Sequence, residues 1–221
     1  ANKKYNKRIY LELNQYNIYM SKSIYFIRHG YALHNDLFWS IGTDAYKKYQ
    51  DTPLLHKGYL QANDCKKKHV KPWNGKLKNI DVVLVSPLSR TISTALSIFG
   101  DTKHYCTKFI ALDCLMEYPQ GGDEVCNKRK KIEILKDNYP TIDFSELRGD
   151  HWGDNKESIE GLEERIDTMV KYIQKLDANR IAVVSHSSFL GQYLHKKIGD
   201  EHNELEHCFP FGPYTIDKYK L

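Results

Sequence analysis

Four short apolar runs stand out along the chain: IYFI (24–27), IDVVLVS (80–86), TKFIAL (107–112) and NRIAVVSH (179–186). All are rich in β-branched residues, and turn residues flank the second. A strand buried on both faces of a parallel sheet has this continuous apolar character. The segments between them are helical in composition. HKGYLQANDCKKKHV (56–70) is one, TISTALSIF behind SPLSR and ended by Gly100 is a second, and FLGQYLHKKI after the last strand is a third. In EGLEERIDTMVKYIQKL (160–176), Leu162, Ile166, Met169, Ile173 and Leu176 recur every three or four residues, which lines them along one helix face. Strand and helix alternate, so the pattern predicts an α/β fold with a mostly parallel sheet.

Residues 118–158 break the alternation. They are rich in Gly, Asp, Lys and Tyr, with one helical piece around EVCNKRKKIEILKDN, and read as an insertion over one end of the sheet. Residues 1–19 are polar and basic, and Met20 stands just before the first strand. They are expected to be an extension or an expression remnant outside a single domain spanning 20–221.

Composition narrows the classes. Of the 221 residues, 41% are apolar and 28% charged, the balance of an ordinary globular domain. No apolar run reaches the ~20 residues of a membrane helix, and no signal-peptide core is visible. The five cysteines are odd in number and scattered, without CxxC or CxxxxxR, which suggests free thiols in a reducing, cytoplasmic compartment. The net charge of +5 is concentrated at the start, where Lys3, Lys4, Lys7 and Arg8 face only Glu12. The remainder is close to neutral, which argues against a nucleic-acid partner.

Three of the apolar runs end in cationic or imidazole side chains: the first in Arg28 and His29, the second through Pro87 to Arg90, the last in His186. Open α/β sheets bind ligands at the carboxyl ends of their strands. If these strands are parallel neighbours, two arginines and two histidines converge. Such a cluster repels itself unless an anion occupies it, and a phosphomonoester suits guanidinium forks well. Neither the carboxylate clusters of metal-assisted phosphoryl transfer nor a GxxxxGK[ST] loop is present, so a phosphate site without metal or cofactor is expected.

Arg28-His29-Gly30 with Asn35, Ser86-Pro87-Leu88-Ser89-Arg90-Thr91, Glu117, and Ser185-His186-Ser187, in that order, resemble the motifs of the histidine phosphatase superfamily, also called phosphoglycerate mutase-like. DTPLLHKGYLQA (51–62) resembles the stretch between the first two motifs. The resemblance covers most of residues 23–200 and implies a three-layer α/β/α sandwich. It makes His29 the nucleophile, with Arg28, Arg90 and His186 clamping the phosphoryl oxygens. Glu117 would protonate the leaving oxygen and then activate water, although Asp123 and Glu124 stand nearby as competitors. Asn35 would add a hydrogen bond. Ser187 and His34 are further candidate substrate contacts, and Lys128 and Arg129 are candidates for meeting an acidic substrate.

Residues 126–147 resemble the phosphatase-type branch of this superfamily. The chain also lacks the long C-terminal segment expected of a glycolytic mutase. Hydrolysis of a small phosphorylated metabolite is therefore the favoured expectation, with a cofactor-dependent phosphoglycerate mutase and a non-catalytic phosphate-binding protein as alternatives. No membrane partner is expected, and a homodimer is left open. Tyr31, Ser93 and Ser188 depart from residues frequent in the family and bear on specificity.

Overall fold

The β-branched runs assemble into one sheet in a computed structural model that describes residues 21–100, 107–150, 155–195, 199 and 205–217. The expected N-terminal extension, residues 1–19, lies outside the described residues. Strands β1 (Ser21–Arg28), β2 (Val82–Val85), β3 (Lys108–Ala111), β4 (Arg180–Ser185) and β5 (Pro210–Asp217) lie in the order β3-β2-β4-β1-β5. The first four run parallel, and β5 pairs antiparallel to β1 at the edge.

Alternation along each strand feeds two cores. Tyr25, Ile27, Val83, Val85, Ala182 and Val184 point to one face, where α3 (His56–Cys65) and α4 (Ser89–Phe99) cover them with Ala62, Ile92, Ala95 and Ile98. Ile24, Phe26, Val82, Leu84, Ile181 and Val183 point to the other. There α6 (Ile159–Lys175) supplies Leu162, Ile166, Met169 and Ile173, and α7 (Ser187–Tyr193) supplies Phe189 and Leu190. Each of the four α6 side chains is at most 1% exposed, so truncating any of them to alanine costs about 2–5 kcal/mol. Ser158 starts α6 by accepting the Gly161 N–H at 3.2 Å. Helices on both sheet faces make three layers.

Two short helices, α1 (Leu33–Ile41) and α2 (Ala45–Lys48), connect β1 to α3. The single helical piece expected around residues 124–138 is divided. Val125–Asn127 form a 3-10 turn, and the helix α5 (Ile132–Asn138) follows only after it. Among the described residues no helix is long and apolar enough to cross a membrane.

Register places the site. Arg28 pairs with Ser185, and both Ile27 and Val85 are level with Val184, so the three central strands end together. The ladder continues one bond further, His29 N–H to the Ser185 carbonyl at 3.0 Å and Ser86 N–H to the Val184 carbonyl at 3.0 Å. The residues that follow β1, β2 and β4 are thereby delivered side by side.

Candidate active site

The chain turns sharply after β1, and glycine makes the turn possible. A Cβ on Gly30 would lie 2.7 Å from the Gly58 carbonyl oxygen, and one on Gly58 would lie 2.4 Å from the Tyr31 carbonyl oxygen. The β1 turn and α3 therefore touch backbone to backbone. The Gly30 N–H donates to Thr94 Oγ1 on α4 at 3.0 Å, tying the same turn to the helix that carries Arg90.

This turn aims His29 inward, 2% exposed. Its Nδ1 lies 2.7 Å from the Gly30 carbonyl, which can only accept, so Nδ1 carries the proton and Nε2 keeps its lone pair. Three further imidazoles surround it: His186, His34 and His207, with ring centroids at 5.1, 5.6 and 5.7 Å. Burial, then the positive charge of Arg90, hold the His29 pKa well below the usual 6.5, so the ring is neutral near pH 7. The same two causes, in the same order, lower His34 and His186.

Arg90 sits in the first turn of α4, where the helix dipole disfavours a cation. Asp51 offsets this by accepting the Ser89 N–H at 2.7 Å and the Ser89 hydroxyl at 2.6 Å. Arg90 is 1% exposed and donates to the Cys126 carbonyl at 2.8 Å and to Asn127 Oδ1 at 3.0 Å. Its Nε has no partner among the described residues, nor does Nδ1 of fully buried His186, whose Nε2 meets Ser86 Oγ at 2.8 Å. A buried donor left unmade costs about 1–3 kcal/mol, which makes the Arg90 Nε–H a candidate donor to an anionic ligand. Arg28 donates to the Leu205 carbonyl at 2.7 Å.

Glu117 faces this cluster across a cavity of about 330 Å³. Its Oε1 accepts the Tyr118 and Phe189 N–H groups at 2.8 and 3.0 Å, and Oε2 accepts that of Ser188 at 3.3 Å. Burial raises its pKa above 4.5, opposed by those hydrogen bonds and by Arg90. A carboxyl held in this way can take and return a proton.

Arg28, His29, His34, Asn35, Arg90, Glu117 and Ser187 all line the cavity, whereas His186 is not among the lining residues, its ring lying 5.1 Å from that of His29. Asn35 commits its Oδ1 to the Ala32 N–H at 3.0 Å, which leaves its NH2 donors for a ligand oxygen. His34 is fixed by Thr52, Nδ1 to Oγ1 at 2.7 Å. Of the two competing acids, Glu124 lines the cavity, whereas Asp123 is exposed and pairs with Lys47 at 2.6 Å.

Arg129 requires a correction. It was expected to meet substrate, but it is 2% exposed and turned away from the cavity, with Nε on Asp113 at 2.8 Å and Nη1 on Asp150 at 3.0 Å. It pins the segment before α5 to the body. Lys128, half-buried, does not line the cavity either. Sequence reasoning missed Tyr46 and Asn127 in the lining, and also His207, whose Nδ1 donates to the His29 carbonyl at 2.6 Å. For Asp51 a signal existed, because it opens the DTPLL stretch.

Comparison with known proteins identifies the family. A family model described as the histidine phosphatase superfamily (branch 1) matches residues 24–215. A phosphoglycerate mutase-like protein of Arabidopsis thaliana is 29% identical, covering 79% of this chain and 74% of its own. A Schizosaccharomyces pombe protein described as a "probable phosphatase" is 25% identical over 76% of this chain and 74% of its own. The solved alpha-ribazole phosphatase of Shigella flexneri superposes with a TM-score of 0.56 at 18% identity, covering 86% of this chain and 88% of that one, and shares the fold.

Proposed function

The chain belongs to the histidine phosphatase superfamily, branch 1, and from that membership we propose that it hydrolyses phosphomonoesters through a phosphohistidine on His29. The observation that carries this reading is one cavity holding a neutral imidazole, its Nδ1 tied to a carbonyl, opposite a carboxyl whose pKa is raised.

His29 Nε2 attacks phosphorus with its lone pair, and the bond to the ester oxygen breaks. Arg28, Arg90 and His186 hold the non-bridging oxygens, and the Arg90 Nε–H, without a present partner, acquires one as charge builds on the phosphoryl group. Protonated Glu117 gives its proton to the departing alkoxide, which leaves as the alcohol. The resulting carboxylate then takes a proton from water as water attacks the phosphohistidine. Inorganic phosphate is released, and Glu117 returns to its acid form. Asn35 and Ser187 contribute hydrogen bonds to the phosphoryl group.

The test is a rapid quench in alkali after mixing with p-nitrophenyl phosphate. A base-stable, acid-labile phosphoryl group mapping to His29 is expected. Turnover without any such adduct on His29 would overturn the mechanism. A mutase shares the first half-reaction. Phosphate release from 3-phosphoglycerate without 2,3-bisphosphoglycerate supports the hydrolase, whereas bisphosphate-dependent isomerisation without phosphate release supports the mutase.

A further inference from the structure

The cavity is chemically divided. Arg28 and Arg90, both assigned above to the phosphoryl group, are the only lysine or arginine side chains among the described residues that line it. Away from them the lining includes Tyr46, Tyr118, Pro119, Cys126, Asn127, Ser188 and the carboxylate of Glu124, the last paired with exposed Lys156 at 3.1 Å. A leaving group bearing its own carboxylate or second phosphate meets no further lysine or arginine among the described lining residues and would compete with Glu124 for Lys156.

Rings also lead out of the site in an unbroken series. His29 neighbours His34 at 5.6 Å, and His34 neighbours Tyr46 at 6.0 Å. Phe38 stacks on Tyr46 at 5.7 Å and 26°, and Trp39 meets Phe38 edge-on at 6.5 Å. Phe38 is 40% exposed and Trp39 is 83% exposed. His29, His34 and Tyr46 line the cavity, and Phe38 and Trp39 continue the series outside its lining; two large aromatics left in water at the end of such a series mark a binding surface better than a packing need.

We infer that the substrate is a monophosphate ester of an uncharged alcohol carrying a flat ring, with the phosphoryl group at His29 and the ring against Tyr46 and the exposed Phe38 and Trp39 that continue from it. The inference rests on the phosphomonoesterase reading and specifies its leaving group. The geometry suits it because aromatic rings attract one another in offset or edge-on arrangements beyond their area of contact.

Two measurements separate this inference from the reading beneath it. Calorimetric Kd values for 2-phenylethylphosphonate and ethylphosphonate report ring binding without requiring turnover. The phenyl compound is expected to bind about tenfold more tightly or better, and Phe38→Leu and Trp39→Ala each to reduce that advantage about three- to tenfold. In turnover, 2-phenylethyl phosphate and ethyl phosphate release alcohols of similar basicity, so their kcat/KM ratio reports recognition. It should follow the same pattern, with 3-phosphoglycerate no better than ethyl phosphate. Equal phosphonate affinities, a ring preference that survives in a Phe38→Leu/Trp39→Ala double variant, or a preference for 3-phosphoglycerate overturns the proposal. Ring-selective binding with no phosphohistidine overturns the hydrolase reading instead.

Discussion

The carboxylate of Asp51 receives both the backbone N–H and the side-chain hydroxyl of Ser89, at 2.7 and 2.6 Å, one residue before Arg90. Two donors at the start of α4 are thereby satisfied from a different segment of the chain, and a negative group stands beside a buried guanidinium. Asp51→Ala leaves those donors buried and unmatched, so it is expected to cost about 1–3 kcal/mol in urea unfolding. Phosphate affinity should weaken with it as Arg90 shifts. Asp51→Asn keeps an acceptor for the N–H and should retain most of both. An alanine variant as stable as the parent would show that the contact is incidental.

Glu117 is assigned both proton transfers, and Glu117→Gln removes both. Hydrolysis of alkyl phosphates is expected to fall about 10²–10⁴-fold. With p-nitrophenyl phosphate, whose leaving group needs no proton, the first step should be much less affected. A burst of nitrophenol followed by slow turnover then reports phosphohistidine waiting for a general base. Equal losses on both substrates, without a burst, would move the acid to Glu124.

Three buried histidines make stability depend on pH. His29, His34 and His186 have folded pKa values well below 6.5, with burial the largest cause. The unfolded chain takes up their protons as pH falls through about 6.5 while the folded protein does not, so stability is lost toward acid. Well below 6.5 the loss reaches ~1.4 kcal/mol per pH unit for each histidine. Glu117 and Asp51, raised by burial, act in the opposite sense, above the ordinary carboxylate values. Tm by calorimetry should fall between pH 7.5 and 5.5, and His34→Gln should flatten that fall. Because the His29 pKa is also held below its usual 6.5, the acid limb of kcat/KM should lie below the ordinary histidine range. A flat Tm would contradict the burial argument.

Gly58 is constrained by its neighbours: an added Cβ would meet the Tyr31 carbonyl at 2.4 Å and Leu54 Cδ1 at 2.6 Å. Backbone cannot yield as a side-chain tip can, so Gly58→Ala should move α3 away from the nucleophile turn. A loss of about 1–3 kcal/mol in the denaturant midpoint is expected, together with a lower kcat. Unchanged values for both would mean the two backbones have room to part.

Buried strands were legible because both of their faces are covered, which leaves a continuous apolar run to read. β5 was not, since an edge strand containing Pro210 and Pro213 has no such run. α1 escaped notice because Phe38, Trp39 and Ile41 face water, and no apolar stripe survives. The helix expected near residue 130 is split where the chain runs extended and Arg129 turns inward to Asp113 and Asp150. An arginine in a basic run gives no sequence signal that two distant carboxylates will claim it. The cluster at the strand ends was readable from local pattern, whereas His207 reaches His29 only through tertiary approach.

The strand order has a consequence for the life of the chain on the ribosome. β1 and β2 never pair with each other, because β4, roughly a hundred residues after β2, fills the gap between them. Until that late segment emerges, His29 has neither the Ser185 carbonyl that anchors its backbone nor His186 beside its ring. A nascent chain therefore holds the proposed nucleophile without these partners until β4 emerges, and without His207 and the Leu205 carbonyl beside Arg28 until the residues after β4 follow.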